Sequence, residues 1–240
     1  MIVALILSGG TGTRLGSEVP KQYIEVEGKP VISYCIEILS AHRGIDAIQI
    51  VAQEFWRDSI REYLKTADTK GKFRGFSAPG ENRQLSIYHG LEDVRDYAGD
   101  DGYVLIHDAA RPLLTSELIT RCLHRVQGHD GLMLALPMKD TVYSSTDGLH
   151  ITALLDRSTV YAGQAPEIFR LGRYYEANRK LLPEQIRRIN GSTEPAVLDG
   201  MDMVMIPGDE GNFKITTPSD LERFRRSLQE SRQNAETLKW

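Results

Sequence analysis

Apolar residues in this chain fall into two alternating patterns. Short continuous runs occur at Ile2 to Leu7, at Asp46 to Ala52 around Ile48, Ile50 and Val51, at Tyr103 to Ile106, and at Leu132 to Leu136. They are aliphatic or β-branched and bounded by turn residues, which predicts strands buried on both faces of a largely parallel sheet. Between them apolar side chains recur at helical spacing: Val31, Ile32, Cys35, Ile38 and Leu39 behind Pro30, then Leu85, Tyr88, Leu91 and Val94, then Leu118, Ile119, Cys122 and Val126. Strand and helix in alternation predict an α/β fold, Rossmann-like and doubly wound, with a mostly parallel sheet and ligands at the C-terminal strand ends.

The pattern changes after Pro137. From Asp140 to Leu155 polar and apolar residues alternate around the turn pair Asp147-Gly148, a hairpin signal. We expect a projecting β-arm at about 138–160 that serves a homodimer contact; the alternative is an antiparallel edge of the main sheet. Further strands are expected near Met203 to Ile206 and Asn212 to Thr216, and a last helix opened by Thr217-Pro218-Ser219-Asp220 that frays beyond about Gln229.

With 240 residues, 41% hydrophobic and 26% charged, the sequence fits a single domain over 1–240. A net charge of −4 gives no global basic field, so no nucleic-acid partner is expected and any phosphate site must be local. Cys35 and Cys122 lie inside apolar helical patterns without a CxxC spacing and read as core residues of a protein in a reducing compartment. The run Ile2 to Leu7 has no basic leader and stops far short of the ~20 residues of a membrane span. It is expected to be a buried strand, not a signal peptide, and the protein to be cytoplasmic and without a membrane partner.

The first strand runs into Leu7-Ser8-Gly9-Gly10-Thr11-Gly12-Thr13-Arg14-Leu15-Gly16, a loop whose glycines let backbone N–H groups converge on a phosphate chain. A dinucleotide fingerprint would have a third glycine where Leu15 stands, and a P-loop would have Lys-Ser/Thr after its last glycine. A nicotinamide-dependent oxidoreductase is thereby disfavoured; a non-enzymatic nucleotide sensor remains the other alternative. Arg14 in the loop and Lys21 in Pro20-Lys21-Gln22-Tyr23 supply cations suited to charge developing in phosphoryl-type transfer. No histidine pair has metal-ligand spacing, and His107, beside Asp108 on a buried strand, reads as a core residue.

Six stretches in order carry a resemblance: the loop with Arg14 and Lys21, Gly80-Glu81-Asn82-Arg83-Gln84-Leu85-Ser86, His107-Asp108-Ala109-Ala110-Arg111-Pro112, Pro137-Met138-Lys139-Asp140-Thr141, Asp156-Arg157, and Asn212-Phe213-Lys214-Ile215-Thr216. From about Ile2 to Phe224 the chain resembles the 2-C-methyl-D-erythritol 4-phosphate cytidylyltransferases and their ribitol-5-phosphate relatives. The resemblance implies a Mg2+-dependent transfer of CMP from CTP to a small polyol phosphate. Ser8, Gly9, Gly10 and Gly12 would line the CTP site, with Arg14 and Lys21 on the triphosphate. Gly80, Glu81 and Ser86 would read cytosine and the ribose edge, with Ala109 packed near the ribose. It further implies that Asp108 meets the metal or the alditol, that Arg111 supports the site, and that Thr141, Arg157 and the catalytic Lys214 serve the acceptor, Arg157 reaching into a partner's site; Ser192, in a stretch that departs from the family pattern, is expected to substitute in acceptor contacts.

The nucleophile fits this set. A phosphate monoester with a second pKa of about 6 is already largely dianionic at neutral pH, so its attack needs cations more than a general base. The chain departs from the family pattern on the acceptor side. Ala165 and Glu167 stand where threonine and an amide are usual, and Gly191-Ser192-Thr193-Glu194-Pro195 replaces a Thr-Asp-Glu-Ala type of stretch. The acceptor is therefore open between the methylerythritol and ribitol compounds, or another polyol phosphate.

Overall fold

A computed structural model describes residues 1–10 and 19–237. In chain order the elements are β1 (Ile2–Leu7), β2 (Glu25–Val26), β3 (Lys29–Pro30), α1 (Val31–Ala41), β4 (Ala47–Val51), α2 (Glu54–Ala67), β5 (Phe73–Ser77), α3 (Arg83–Arg95), β6 (Tyr103–Asp108), α4 (Ser116–Arg125), β7 (Gly131–Pro137), β8 (Val142–Ser144), β9 (Ala153–Leu155), β10 (Tyr161–Arg170), α5 (Leu171–Arg179), α6 (Glu194–Leu198), β11 (Met203–Pro207) and α7 (Pro218–Thr237).

The seven-stranded sheet runs β11-β7-β10-β6-β1-β4-β5. Its pairings are parallel except at β10, which lies antiparallel to both β6 and β7. Because strand side chains alternate between faces, β1 divides its apolar residues: Ala4 and Ile6 enter one core, Val3 and Leu5 the other. The first core receives Ile32, Cys35 and Leu39 of α1, Ile60 and Leu64 of α2, and Leu118 and Cys122 of α4. The second receives Ile87, Leu91 and Val94 of α3, Leu171 and Tyr174 of α5, and Ala196 of α6. Each large aliphatic side chain withdrawn completely from water contributes about 1.5–3 kcal/mol, so this two-sided burial fixes the doubly wound arrangement. Both cysteines are buried, and burial pushes each thiol up to about 12.

β8 and β9 pair only with each other, in a separate antiparallel sheet running from Val142 opposite Leu155 to Ser144 opposite Ala153. The hairpin is therefore an arm and not an edge of the main sheet. Two expectations are corrected. Residues 212–216 are not a strand: their hydrogen bonds go to scattered partners and form no ladder, with the Asn212 carbonyl accepting from Arg111 Nη1 (2.8 Å), Asn212 Nδ2 donating to the Ala165 carbonyl (2.8 Å) and the Ile215 amide donating to that of Ala110 (2.8 Å). The last helix also runs to Thr237, past Gln229. Its start is as expected: Asp220 Oδ2 accepts from the amides of Thr216 (2.9 Å) and Thr217 (2.8 Å).

Candidate active site

The C-terminal ends of β1 and β6 are adjacent, with Leu7 opposite Asp108, and a cavity of about 590 Å³ opens there. Gly9, Gly10, Lys21, Gly80, Glu81, Ser86, Asp108 and Lys214 all line it, together with Gln22, Asn82 and Arg83. Residues that lie over two hundred positions apart in sequence thus share one concavity of a size suited to a nucleotide.

Local hydrogen bonds explain how the wall near Gly9 and Gly10 is held. Gln22 Nε2 donates to the carbonyls of Ser8 (2.9 Å) and Gly10 (2.7 Å), while Tyr23 Oη donates to the Ser8 carbonyl (3.0 Å) and accepts from Ser8 Oγ (2.8 Å). Gln22 and Tyr23 therefore bind the short 3-10 turn Lys21–Tyr23 to the end of β1, which sets Lys21 at the cavity. Gly9 is required by closeness, since a Cβ there would stand 2.6 Å from Pro79 Cβ. Gly12 and Arg14 lie outside the described residues.

The opposite wall is the loop that opens α3. Asn82 caps the helix, its Oδ1 accepting from the Leu85 amide (2.8 Å), and its Nδ2 donates to the Ile186 carbonyl (3.1 Å). Ser86 Oγ accepts from the Gly80 amide (2.9 Å) and donates to the Asn82 carbonyl (2.9 Å). A Cβ on Gly80 would meet Leu85 Cβ at 2.3 Å and the Ser86 amide nitrogen at 2.9 Å, so only glycine permits this turn. Glu81 stands at the rim, 3.3 Å from Arg187.

Asp108 is the electrostatic centre. Its Oδ1 lies 3.3 Å from Arg83 Nη2, and its Oδ2 lies 3.0 Å from Lys214 Nζ and 3.4 Å from Arg111 Nε. Burial alone would raise this carboxyl, but Arg83, Lys214 and Arg111 together hold it well below the usual carboxylate range. Arg83 is in turn raised: burial opposes its charge, and Asp108 and Glu167 outweigh burial. Burial prevails at Arg111, whose guanidinium is lowered despite Asp108. With Lys21, this end of the cavity carries more positive than negative charge on a chain that is acidic overall. Such a field suits a polyanionic ligand.

This order and geometry have counterparts among known proteins. The model of the 2-C-methyl-D-erythritol 4-phosphate cytidylyltransferase family matches residues 2–230. The chain belongs to that family. Among its relatives, the ribitol-5-phosphate cytidylyltransferase of Streptococcus agalactiae serotype V is 31% identical over 98% of this chain and 97% of the relative. The 2-C-methyl-D-erythritol 4-phosphate cytidylyltransferase of Rubrobacter xylanophilus is 37% identical over 91% of each chain. The solved 4-diphosphocytidyl-2C-methyl-D-erythritol synthase of Anaerococcus prevotii is similar in fold, with a TM-score of 0.81 at 25% identity, covering 95% of this chain and 96% of that one. The chain is accordingly a cytidylyltransferase, an enzyme of the nucleotidyltransferase class.

Other residues expected at a cytidylyltransferase site lie away from the cavity surface. Ser8, Ala109 and Ser192 are buried: Ser8 is bonded to Tyr23, the Ala109 amide donates to the Leu7 carbonyl (3.1 Å), and Ser192 Oγ donates to Glu167. Thr141 and Arg157 are exposed on the arm, where Arg157 Nη1 donates to the Lys139 carbonyl (2.9 Å), and neither lines the cavity. The structural parts played by Gln22, Tyr23 and Glu167 were not deduced from sequence. Only the proximity of Gln22 and Tyr23 to Lys21 hinted at theirs.

Proposed function

We propose that the chain is a single nucleotidyltransferase domain that transfers CMP from CTP to the phosphate of a small sugar alcohol, releasing pyrophosphate and a CDP-alditol. The observation that carries this reading is the convergence of the β1 loop end, Lys21, Asp108 and Lys214 on one cavity. In this reading Gly9, Gly10 and Lys21 take the triphosphate, a role the family resemblance also gives to Gly12 and Arg14, while Gly80, Glu81 and Ser86 take the cytosine and ribose edge. Lys214 and Asp108 serve the acceptor. Ser8 and Ala109 support the nucleotide from behind, and Ser192 supports the acceptor through Glu167. The acceptor's phosphate oxygen attacks the α-phosphorus as a dianion, and Lys21 and Lys214 offset the anionic repulsion.

Mg2+ belongs to the proposal. Both oxygens of Asp108 face cations, and the described residues contain no group of three or more His, Cys, Asp or Glu that could hold a metal. That donor set fits a magnesium ion carried chiefly by phosphates and water, with Asp108 as a protein carboxylate beside it. When bound, the ion would neutralise charge on the triphosphate. No helix among the described residues is long and apolar enough to cross a membrane, and we place the enzyme in the cytoplasm.

We further propose a homodimer formed through the β8–β9 arm, which leaves Leu149, Ile151 and Leu154 84%, 68% and 65% exposed. The relatives from Streptococcus agalactiae and Rubrobacter xylanophilus make ribitol 5-phosphate and 2-C-methyl-D-erythritol 4-phosphate the acceptors to try first. Pyrophosphate release is the test, measured with CTP, Mg2+ and a panel of alditol phosphates, with UTP and ATP as controls. Release with CTP and one alditol phosphate is expected; binding of CTP without release would turn the reading toward a nucleotide sensor.

A further inference from the structure

Glu167 occupies an unusual place for a carboxylate. The register of β10 sets it opposite Ile106, so its side chain leaves the same face of the sheet as Ile106 and Asp108, the face that α3 covers. Glu167 is 7% exposed and Ser192 3%. Ser192 Oγ donates to one oxygen of Glu167, and Thr193 Oγ1 donates to the other (2.6 Å). Thr193 is the N-cap residue of α6, yet its side chain caps nothing. A hydroxyl that would ordinarily satisfy a helix amide is turned toward a buried acid instead.

The remaining side of Glu167 faces Arg83, with Nη2 3.7 Å from Oε2, and Arg83 lines the cavity. Arg83 also donates from Nε (3.4 Å) and Nη2 (3.3 Å) to Asp108 Oδ1. These are long contacts, so the guanidinium is suspended between two carboxylates without a tight bidentate pair to either. Its Nη1 donates to no described residue. Without the charge on Glu167, the planar fork would fall onto Asp108, withdraw from the cavity and compete with Lys214.

We propose that Glu167, clasped by Ser192 and Thr193, is a positioning residue: it holds Arg83 off Asp108 so that a guanidinium edge meets the acceptor's phosphate. This deepens the cytidylyltransferase reading and rests on it.

The test is Glu167→Gln, which keeps the shape and loses the charge, made in the full chain alone and in an Arg83→Lys background. With CTP saturating, KM for 2-C-methyl-D-erythritol 4-phosphate or ribitol 5-phosphate is expected to rise about tenfold, as for loss of a hydrogen bond between charged groups, while KM for CTP stays within about twofold. The thermal midpoint should move by only a few degrees. In the Arg83→Lys background, Glu167→Gln should add nothing. An unchanged acceptor KM, or the same tenfold loss with Arg83 already replaced, would overturn the proposal. Calorimetric binding of inorganic phosphate separates the two ideas: a wild-type protein that turns over no alditol phosphate of the panel defeats the function, whereas the positioning role still requires weaker phosphate binding in Glu167→Gln and fails without it.

Discussion

Asp108 concentrates several constraints in one side chain. Its carboxylate has Arg83, Lys214 and Arg111 within 3.4 Å and is 7% exposed, so removing its charge leaves those cations to repel one another at the cavity wall. Breaking a buried ionic group by deleting one partner costs about 3–5 kcal/mol. Asp108→Asn is therefore expected to lower both the unfolding free energy, by about that amount, and turnover. Lys21 makes the contrast. It is only partly buried, on a turn that the hydrogen bonds of Gln22 and Tyr23 hold to the end of β1, so Lys21→Ala should hold the thermal midpoint within a few degrees. Its turnover should fall at least about a hundredfold, because one preorganised charge aimed at the transition state contributes roughly 3 kcal/mol. Paired denaturation curves and pyrophosphate-release rates for the two variants check both halves.

At the scale of elements, a strand or helix was legible wherever one period ran unbroken. β1, α1 and β4 satisfy that condition, and their boundaries agree with the sequence reading to within a residue or two. β10 does not: Gly163, Pro166 and Glu167 interrupt it, and no period in the sequence marks it as a strand. α2 was missed because only Ile60, Leu64 and Ala67 of its residues are buried, too narrow a stripe to stand out. Motifs along the chain named Asp108 and Lys214, but the Arg83–Glu167 approach depends on β10 lying antiparallel beside β6, which no local pattern encodes.

The arm is the element whose function is most open to test. A two-stranded hairpin is marginal in water by itself, and this one carries exposed Tyr143, Ile151 and Leu154. In a two-fold dimer each arm would bring Thr141 and Arg157 to the partner's cavity, so each site would draw residues from two chains. Lys21→Ala and Arg157→Ala, each nearly inactive alone, should then complement when mixed. Half of the dimers would be mixed and hold one intact site, restoring about a quarter of wild-type activity. No recovery after the subunits have exchanged would mean that Arg157 does not serve a partner's site.

Across the whole molecule, the site's chemistry should be visible in how stability depends on pH. His107 lies on β6 directly before Asp108 with no exposed surface; Nε2 is 3.0 Å from the Arg111 carbonyl and Nδ1 has no hydrogen-bond partner among the described residues. Burial pushes its pKa down to about 4 from an ordinary 6.5, with Arg111 and Lys214 adding to the fall and the Arg111 carbonyl and Asp108 opposing it. Above pH 6.5 the ring is neutral in folded and unfolded chains alike, and the contribution to stability is complete. As pH falls from 6.5 to 4 the unfolded chain takes up a proton that the folded chain does not, so stability is lost through that window, by about 3 kcal/mol in all, and no further below it. Asp108 acts lower still: its contribution is present above the ordinary carboxylate pKa near 3.9 and is lost only as pH falls beneath that. The interval from pH 7 to pH 5 therefore isolates the histidines, and His42, also lowered by burial, acts with the same sign. Urea unfolding at both pH values should show wild-type stability about 2 kcal/mol lower at pH 5, with most of that difference absent in His107→Gln and a smaller part remaining from His42. A difference that survives the substitution undiminished would trace the acid sensitivity to groups other than the histidine buried under Asp108.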